Sequence, residues 1–244
     1  MSILHLSALH FGTKNDANRW YNQLARDLHT DLNCNSLDAL VLSGDIAHNS
    51  TFEEYEAARE FIMNLMIDFR LRWPEVVIVP GNHDFNLKRA KTAYTQTLRE
   101  DYHGLQDDSH IIDREGDYVG VLDPEKYKQR FTDFRKFYKT IVKKPYPLEP
   151  EWQYTLHHFP EHDLLILGLN SAWQLDHHYK SRISINPDAF SNAMAEINEK
   201  YTYKHSRLKI TVWHHPLNSP FEDRITDHGF MEQLAQNGFR LALH

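Results

Sequence analysis

Three short apolar runs near the start of the chain each break off into a polar turn that carries glycine. Residues 3–6 lead into Ser7-Ala8-Leu9-His10-Phe11-Gly12, residues 39–43 into Gly44-Asp45, and residues 76–80 into Gly81-Asn82-His83-Asp84. Helix-period stretches lie between such runs, and that alternation argues an α/β fold. Strand ends on one edge of a sheet converge in space, and α/β sites are built there. The glycines permit tight turns, so the polar side chains beside them can face one cavity.

The rest of the chain continues the pattern. Further strands are expected at 164–169, 208–213 and 239–243. Phe52, Tyr55, Ala58, Ile62, Leu65 and Phe69 recur every three or four residues, with Ser50 and Glu53 placed as a capping box ahead of them. Tyr127, Phe131, Phe134, Tyr138 and Ile141 predict a second helix. Phe190, Met194, Ile197 and Tyr201 predict a third, opened by Asn186 as cap and Pro187 as its first residue. Gly238 follows Phe230 and Leu234 as a helix stop. From 101 to 123 the period fails in a polar, acidic stretch holding Gly104, Gly116 and Gly120. This reads as a long mobile loop at the mouth of the site, placed to help choose the substrate.

Composition narrows the classes. The 244 residues, 41% of them apolar, suffice for one large α/β domain covering the whole chain. The longest apolar runs fall far short of the roughly 20 residues of a membrane helix. Residues 3–9 have no basic region before them and include His5, so they read as a strand rather than a signal peptide. Cys34 is the sole cysteine, which excludes an internal disulfide and a thiolate metal cluster, and the expected location is cytoplasmic. A formal charge of −7 shows no overall basic excess of the kind duplex-binding surfaces carry. A basic patch or bound divalent cations can reverse that sign locally.

The chemistry-bearing residues are oxygen and imidazole donors without thiolate, a set that suits Mn²⁺, Fe or Zn²⁺. Taken together, the Ser7–Gly12 segment, Gly44-Asp45, Gly81-Asn82-His83-Asp84 and His214-His215-Pro216 resemble the calcineurin-like metallophosphoesterase superfamily. Its signature is D-x-H, G-D, G-N-H-[DE], a later His and a final G-H-x-H, and the match runs in order along essentially the whole chain. Gly-Asp alone is a weak signal; Gly-Asn-His-Asp after a strand is a strong one. The opening segment is most similar to the cyclic-nucleotide phosphodiesterase and DNA-repair nuclease branches.

The resemblance implies a sandwich of two mixed β-sheets flanked by helices. It also implies two divalent ions and hydrolysis of a phosphoester, more a diester than a phosphoprotein, by metal-activated water. His10 is similar to the first-metal histidine and Asp45 to the carboxylate bridging both metals. Asn82 and His214 are similar to second-metal ligands. His83 resembles the histidine that protonates the leaving oxygen or steadies the transition state, with Asp84 orienting it, and His215 is read either as touching substrate phosphate or as packing behind the ligands. Cyclic nucleotides, nucleic-acid ends and small phosphodiesters all remain open as substrates.

Two departures bear on activity. Ala8 stands where the superfamily has its first aspartate, and a methyl group cannot coordinate a cation. Residues 239–244 resemble the strand that leads into G-H-x-H, so the expectation is a domain cut from a longer polypeptide with further domains downstream. At most one cation is then expected, among Asp45, Asn82 and His214, and the chain is expected to be inactive or nearly so. The flanks of Ala8 keep the pattern on both sides, which fits an alanine introduced to silence the site. The alternative is a degenerate module that senses phosphate or docks a partner. His5 is read as a core or edge residue, and His157-His158 and His177-His178, outside the motifs, as surface or pocket-rim residues. Asn170-Ser171 is read as a turn that ends a buried strand.

Overall fold

The computed structural model describes residues 1–221 and 223–244. Strands β1 (Ile3–Leu6), β2 (Ala39–Ser43) and β3 (Val76–Val79) form a parallel sheet in the order β1-β2-β3. Helix α1 (Lys14–Arg26), extended by a π-helical turn over Asp27–Asp31, joins the first pair, and α2 (Phe52–Asp68) joins the second. Strand β2 shows why such strands read as unbroken apolar runs, because all five of its residues are buried. Leu40 and Leu42 pack with Phe61, Ile62 and Leu65 of α2. Ala39 and Val41 pack the other way, against Phe159, Leu164, Ile166, Ile210 and Val212.

Those partners belong to the second sheet, whose order is β10-β9-β8-β7. It comprises β7 (Tyr154–Phe159), β8 (Leu164–Leu169), β9 (Leu208–Val212) and β10 (Phe239–Leu243), with β7 antiparallel to β8 and the other pairs parallel. Its outer face packs on α6 (Pro187–Glu199) and α8 (Gly229–Gln236) through Leu165, Leu167, Phe190, Ala193, Ile197 and Leu234. The layers therefore run helix, sheet, sheet, helix. Each fully buried Leu, Ile or Phe in these layers contributes about 1.5–3 kcal/mol. No helix among the described residues is long and apolar enough to cross a membrane.

Several expectations need correction. The first sheet is wholly parallel, so only one of the two facing sheets is mixed. The cap of α2 is Thr51 paired with Glu54, one residue later than Ser50 and Glu53. Ser50 is instead buried, its hydroxyl bonded to the Asp84 carbonyl. The expected helix across Tyr127–Ile141 is two helices, α4 (Pro124–Lys128) and α5 (Thr132–Val142), separated by a 3₁₀ turn at Gln129–Phe131. Arg130 causes the break by turning inward, where its guanidinium bonds the carbonyls of Tyr127, Trp173 and Leu175. Its own carbonyl accepts from the Asn86 N–H at 2.8 Å, just ahead of α3 (Leu87–Thr92). Tyr201 starts a separate short helix, α7 (Tyr201–Lys204).

The stretch 101–123 is no single loop. It contains β5 (Ile111–Asp113) and β6 (Tyr118–Leu122), which join β4 (Tyr94–Leu98) in a third, antiparallel sheet of order β4-β6-β5. This small sheet docks on residues 176–182: Tyr94 donates to Asp176 at 2.6 Å and Arg182 pairs with Asp108 at 3.2 Å.

Candidate active site

The loops after β1, β2 and β3 meet, as strand ends on one edge must. Backbone bonds knit the first two, with the N–H groups of Ala8, His10 and Phe11 donating to the carbonyls of Gly44, Asp45 and Ile46. Ala8, His10 and Asp45 sit at φ of 52°, 46° and 52°. Three non-glycine residues in the left-handed region each carry a cost, and such positions cluster where surrounding structure imposes a functional geometry. Gly81 is required by close approach, because a Cβ there would lie 2.2 Å from Asp45 Oδ1.

Asp45 is the buried centre. Its Oδ2 lies 3.2 Å from His214 Nε2 and 3.7 Å from His10 Nε2. Its Oδ1 accepts the His83 backbone N–H at 2.8 Å. Burial works to raise the Asp45 carboxyl, but the bond and charge of His214 outweigh it and hold the group below its usual range. Burial likewise pushes His214 down, and Asp45 reverses this, leaving the imidazole raised. His214 Nδ1 donates to the Ser43 carbonyl at 2.8 Å, which leaves Nε2 to face the carboxylate. Burial, ahead of its neighbours, lowers His10, whose Nδ1 is buried without a hydrogen-bond partner.

Asp84 has a different task from the one expected of it. Its carboxylate accepts N–H bonds from Ile46 and Ala47 at 3.2 Å and Gly81 at 2.9 Å, with the Tyr55 hydroxyl at 3.3 Å. It clamps the β2 loop to the β3 loop and does not orient the His83 ring. Burial first, and the charge of Asp45 second, push its carboxyl up to about 6. His83 is oriented by the backbone of His48, whose carbonyl accepts from His83 Nδ1 at 2.7 Å. His215 is buried behind Asn82 and bonds its Oδ1 at 3.1 Å through Nε2, while Nδ1 takes the Ser171 hydroxyl at 2.8 Å. Ser171 thus supports the site through His215. Burial drops His215 to about 3, so it is neutral and acts on Asn82 as a hydrogen-bond donor.

The structure brings together every residue of the expected constellation: His10, Asp45, Asn82, His83 and His214 are linked by these contacts, with Ala8 bonded beside them. Sequence reading missed His48, whose ring packs with those of His10 and His83 at centroid separations of 5.9 and 5.4 Å. Its place three residues after Asp45 on the same turn was the available signal. His157 lies elsewhere, buried in the wall of a separate cavity, which departs from a surface role and agrees with a pocket-lining one. A cavity of about 330 Å³ opens beside the site, bordered by His48, Asn82, His83 and His215 together with Phe85, Leu87, Leu175, Ile183 and Lys180.

The calcineurin-like phosphoesterase family model matches residues 1–244. The chain belongs to that family. No curated protein matches it. The chemistry of that family is phosphoester hydrolysis with divalent metal, and the imidazole and oxygen donors around Asp45 are of the type it uses.

Proposed function

We propose that this is the catalytic domain of a phosphodiesterase acting on a compact, nucleotide-sized diester. The observation that carries the reading is Asp45, a buried carboxylate whose one oxygen faces imidazoles from two different loops. The donors fit a pair of divalent ions: His10 and Asp45 would hold one, and Asp45, Asn82 and His214 the other. Such ions, when bound, supply Lewis acidity and lower the pKa of water. His215 and Ser171 keep the Asn82 side chain in place, and the Ser43 carbonyl fixes the His214 tautomer. His83, held through Nδ1 by the His48 carbonyl, presents Nε2 to the cavity side, where it can protonate a leaving oxygen.

The cavity supports a small substrate over a polymer. Phe85, Leu87, Leu175 and Ile183 give it apolar walls suited to a flat or compact ester group, and Lys180 is the lysine beside them. A channel for nucleic acid needs a run of cations to follow the phosphate backbone.

Ala8 favours a second reading, a phosphate-sensing or docking module, because the first-metal position lacks its carboxylate. Ala8→Asp decides between them. On the first reading it strengthens Mn²⁺ binding at least tenfold and brings hydrolysis of bis-(p-nitrophenyl) phosphate above that of the unaltered chain. A folded, metal-loaded protein carrying both Ala8→Asp and an added Gly-His-x-His segment that cleaves neither mono- nor diesters establishes the module instead.

A further inference from the structure

We propose that His10, His48 and His83 form a three-imidazole cation site, one that selects a borderline transition ion such as Zn²⁺ over Mg²⁺. The inference shares Asp45 and the metal dependence of the functional reading, yet needs no hydrolysis. An ion held there takes His83 Nε2 out of proton transfer, so the site belongs to the chain with Ala8 and not to an active Ala8→Asp form.

The three rings place one nitrogen each within 4.8 Å of one another. Nitrogens sharing a tetrahedral Zn²⁺ at about 2.0–2.1 Å lie roughly 3.3 Å apart, so closure asks for a shift of about 1.5 Å at most. The freedom for that shift sits in one residue. The His10 backbone is held by its bond to the Asp45 carbonyl, and its half-buried ring packs against His83. His83 is fixed twice, by its N–H to Asp45 Oδ1 and its ring to the His48 carbonyl. His48 is exposed, so its ring can swing onto an ion while the other two stay.

The second observation is the bond at His83 Nδ1. A carbonyl can only accept, so Nδ1 carries the proton and Nε2 keeps its lone pair free. Metal-ligating histidines typically carry such a bond to a carbonyl or carboxylate, which fixes the tautomer and raises ligand basicity. Here the carbonyl belongs to His48, so one residue offers a ligand and orients another. Asp45 Oδ2, 3.7 Å from His10 Nε2, supplies a carboxylate alongside.

Ala8 explains the selectivity. With an aspartate at that position the donors would include a second carboxylate and suit harder ions. With a methyl group there, three imidazoles and the single carboxylate of Asp45 make a nitrogen-rich set, which favours Zn²⁺, Ni²⁺ and Cu²⁺, whereas Mg²⁺ demands oxygen.

The test is Zn²⁺ and Mg²⁺ titration of the unaltered chain beside His48→Ala, with folding checked by circular dichroism. Zn²⁺ is expected to bind and Mg²⁺ not, and His48→Ala is expected to weaken Zn²⁺ at least tenfold. His48→Cys should keep the ion and, loaded with Co²⁺, show a thiolate-to-cobalt charge-transfer band that a merely packing residue cannot produce. Unchanged Zn²⁺ affinity and stoichiometry in His48→Ala, or no such band in His48→Cys, overturns the site. The functional reading fails separately: if Ala8→Asp with an added Gly-His-x-His segment gains no hydrolysis while His48→Ala loses zinc, the cation site stands and the hydrolase does not.

Discussion

Replacing Asp84 tests whether a buried clamp, rather than a catalytic dyad, is the task of that carboxylate. Asp84→Ala removes the acceptor for three backbone N–H groups and the Tyr55 hydroxyl, all buried. Leaving a buried donor without a partner costs about 1–3 kcal/mol each. Against this, a carboxyl held near pH 6 carries a desolvation cost that the alanine relieves, about 3 kcal/mol for a rise of two units. The net expectation is a loss of about 3–5 kcal/mol, a large part of the stability of an ordinary domain. Tyr55→Phe removes one hydroxyl, shared between Asp84 and Ser50, and should cost about 1–2 kcal/mol.

Urea unfolding of the metal-free proteins measures both, and pH supplies a second axis. The folded Asp84 binds its proton more tightly than the unfolded one. The native state therefore gains from acidification between about pH 6 and pH 4, and that gain is absent above pH 6. Asp84→Asn cannot titrate, so its deficit relative to the unaltered protein should widen by about 2–3 kcal/mol from pH 7.5 to pH 4. An Asp84→Ala protein within 1 kcal/mol of the original, or an Asp84→Asn deficit independent of pH, would refute the clamp.

Other outcomes follow from single contacts. Gly81→Ala puts a Cβ 2.2 Å from Asp45 Oδ1 and 2.5 Å from its N, so thermal unfolding should show a loss of about 2–3 kcal/mol, with weaker metal binding. Burial lowers His157 to about 4, so its unfolded form takes up protons first. Stability should then fall by about 3 kcal/mol as pH drops from 6.5 to 4, and His157→Gln should flatten that slope in urea titrations. Thr51→Ala removes the hydroxyl that accepts the Glu54 N–H and should lower stability by about 1 kcal/mol by the same assay.

How much of this was legible beforehand depended on whether the information was local. The strands at 3–6, 39–43, 164–169 and 239–243 matched in full, and at 39–43 and 164–169 the reason is two-sided burial, which leaves an unbroken apolar run in the sequence. The polar turns after them could be placed at one sheet edge from their order alone. Family membership followed from the same turns. The small sheet of β4, β5 and β6 was not legible. Its strands are short or glycine-interrupted, and Gly120 matters only because Ile112 lies across from it.

The supporting bonds were equally hidden. That Asp84 grips Ile46 and Ala47, that His215 steadies Asn82, and that the His48 carbonyl turns the His83 ring are pairings across 35 to 133 residues. A side chain's donors and acceptors are fixed by its type, so the sequence by itself determined what chemistry the site residues can do. Which partner takes each donor depends on angles and distances that exist only after both sheets have packed. Tertiary structure alone therefore decided that Asp84 is a clamp and that a third histidine stands beside His10 and His83.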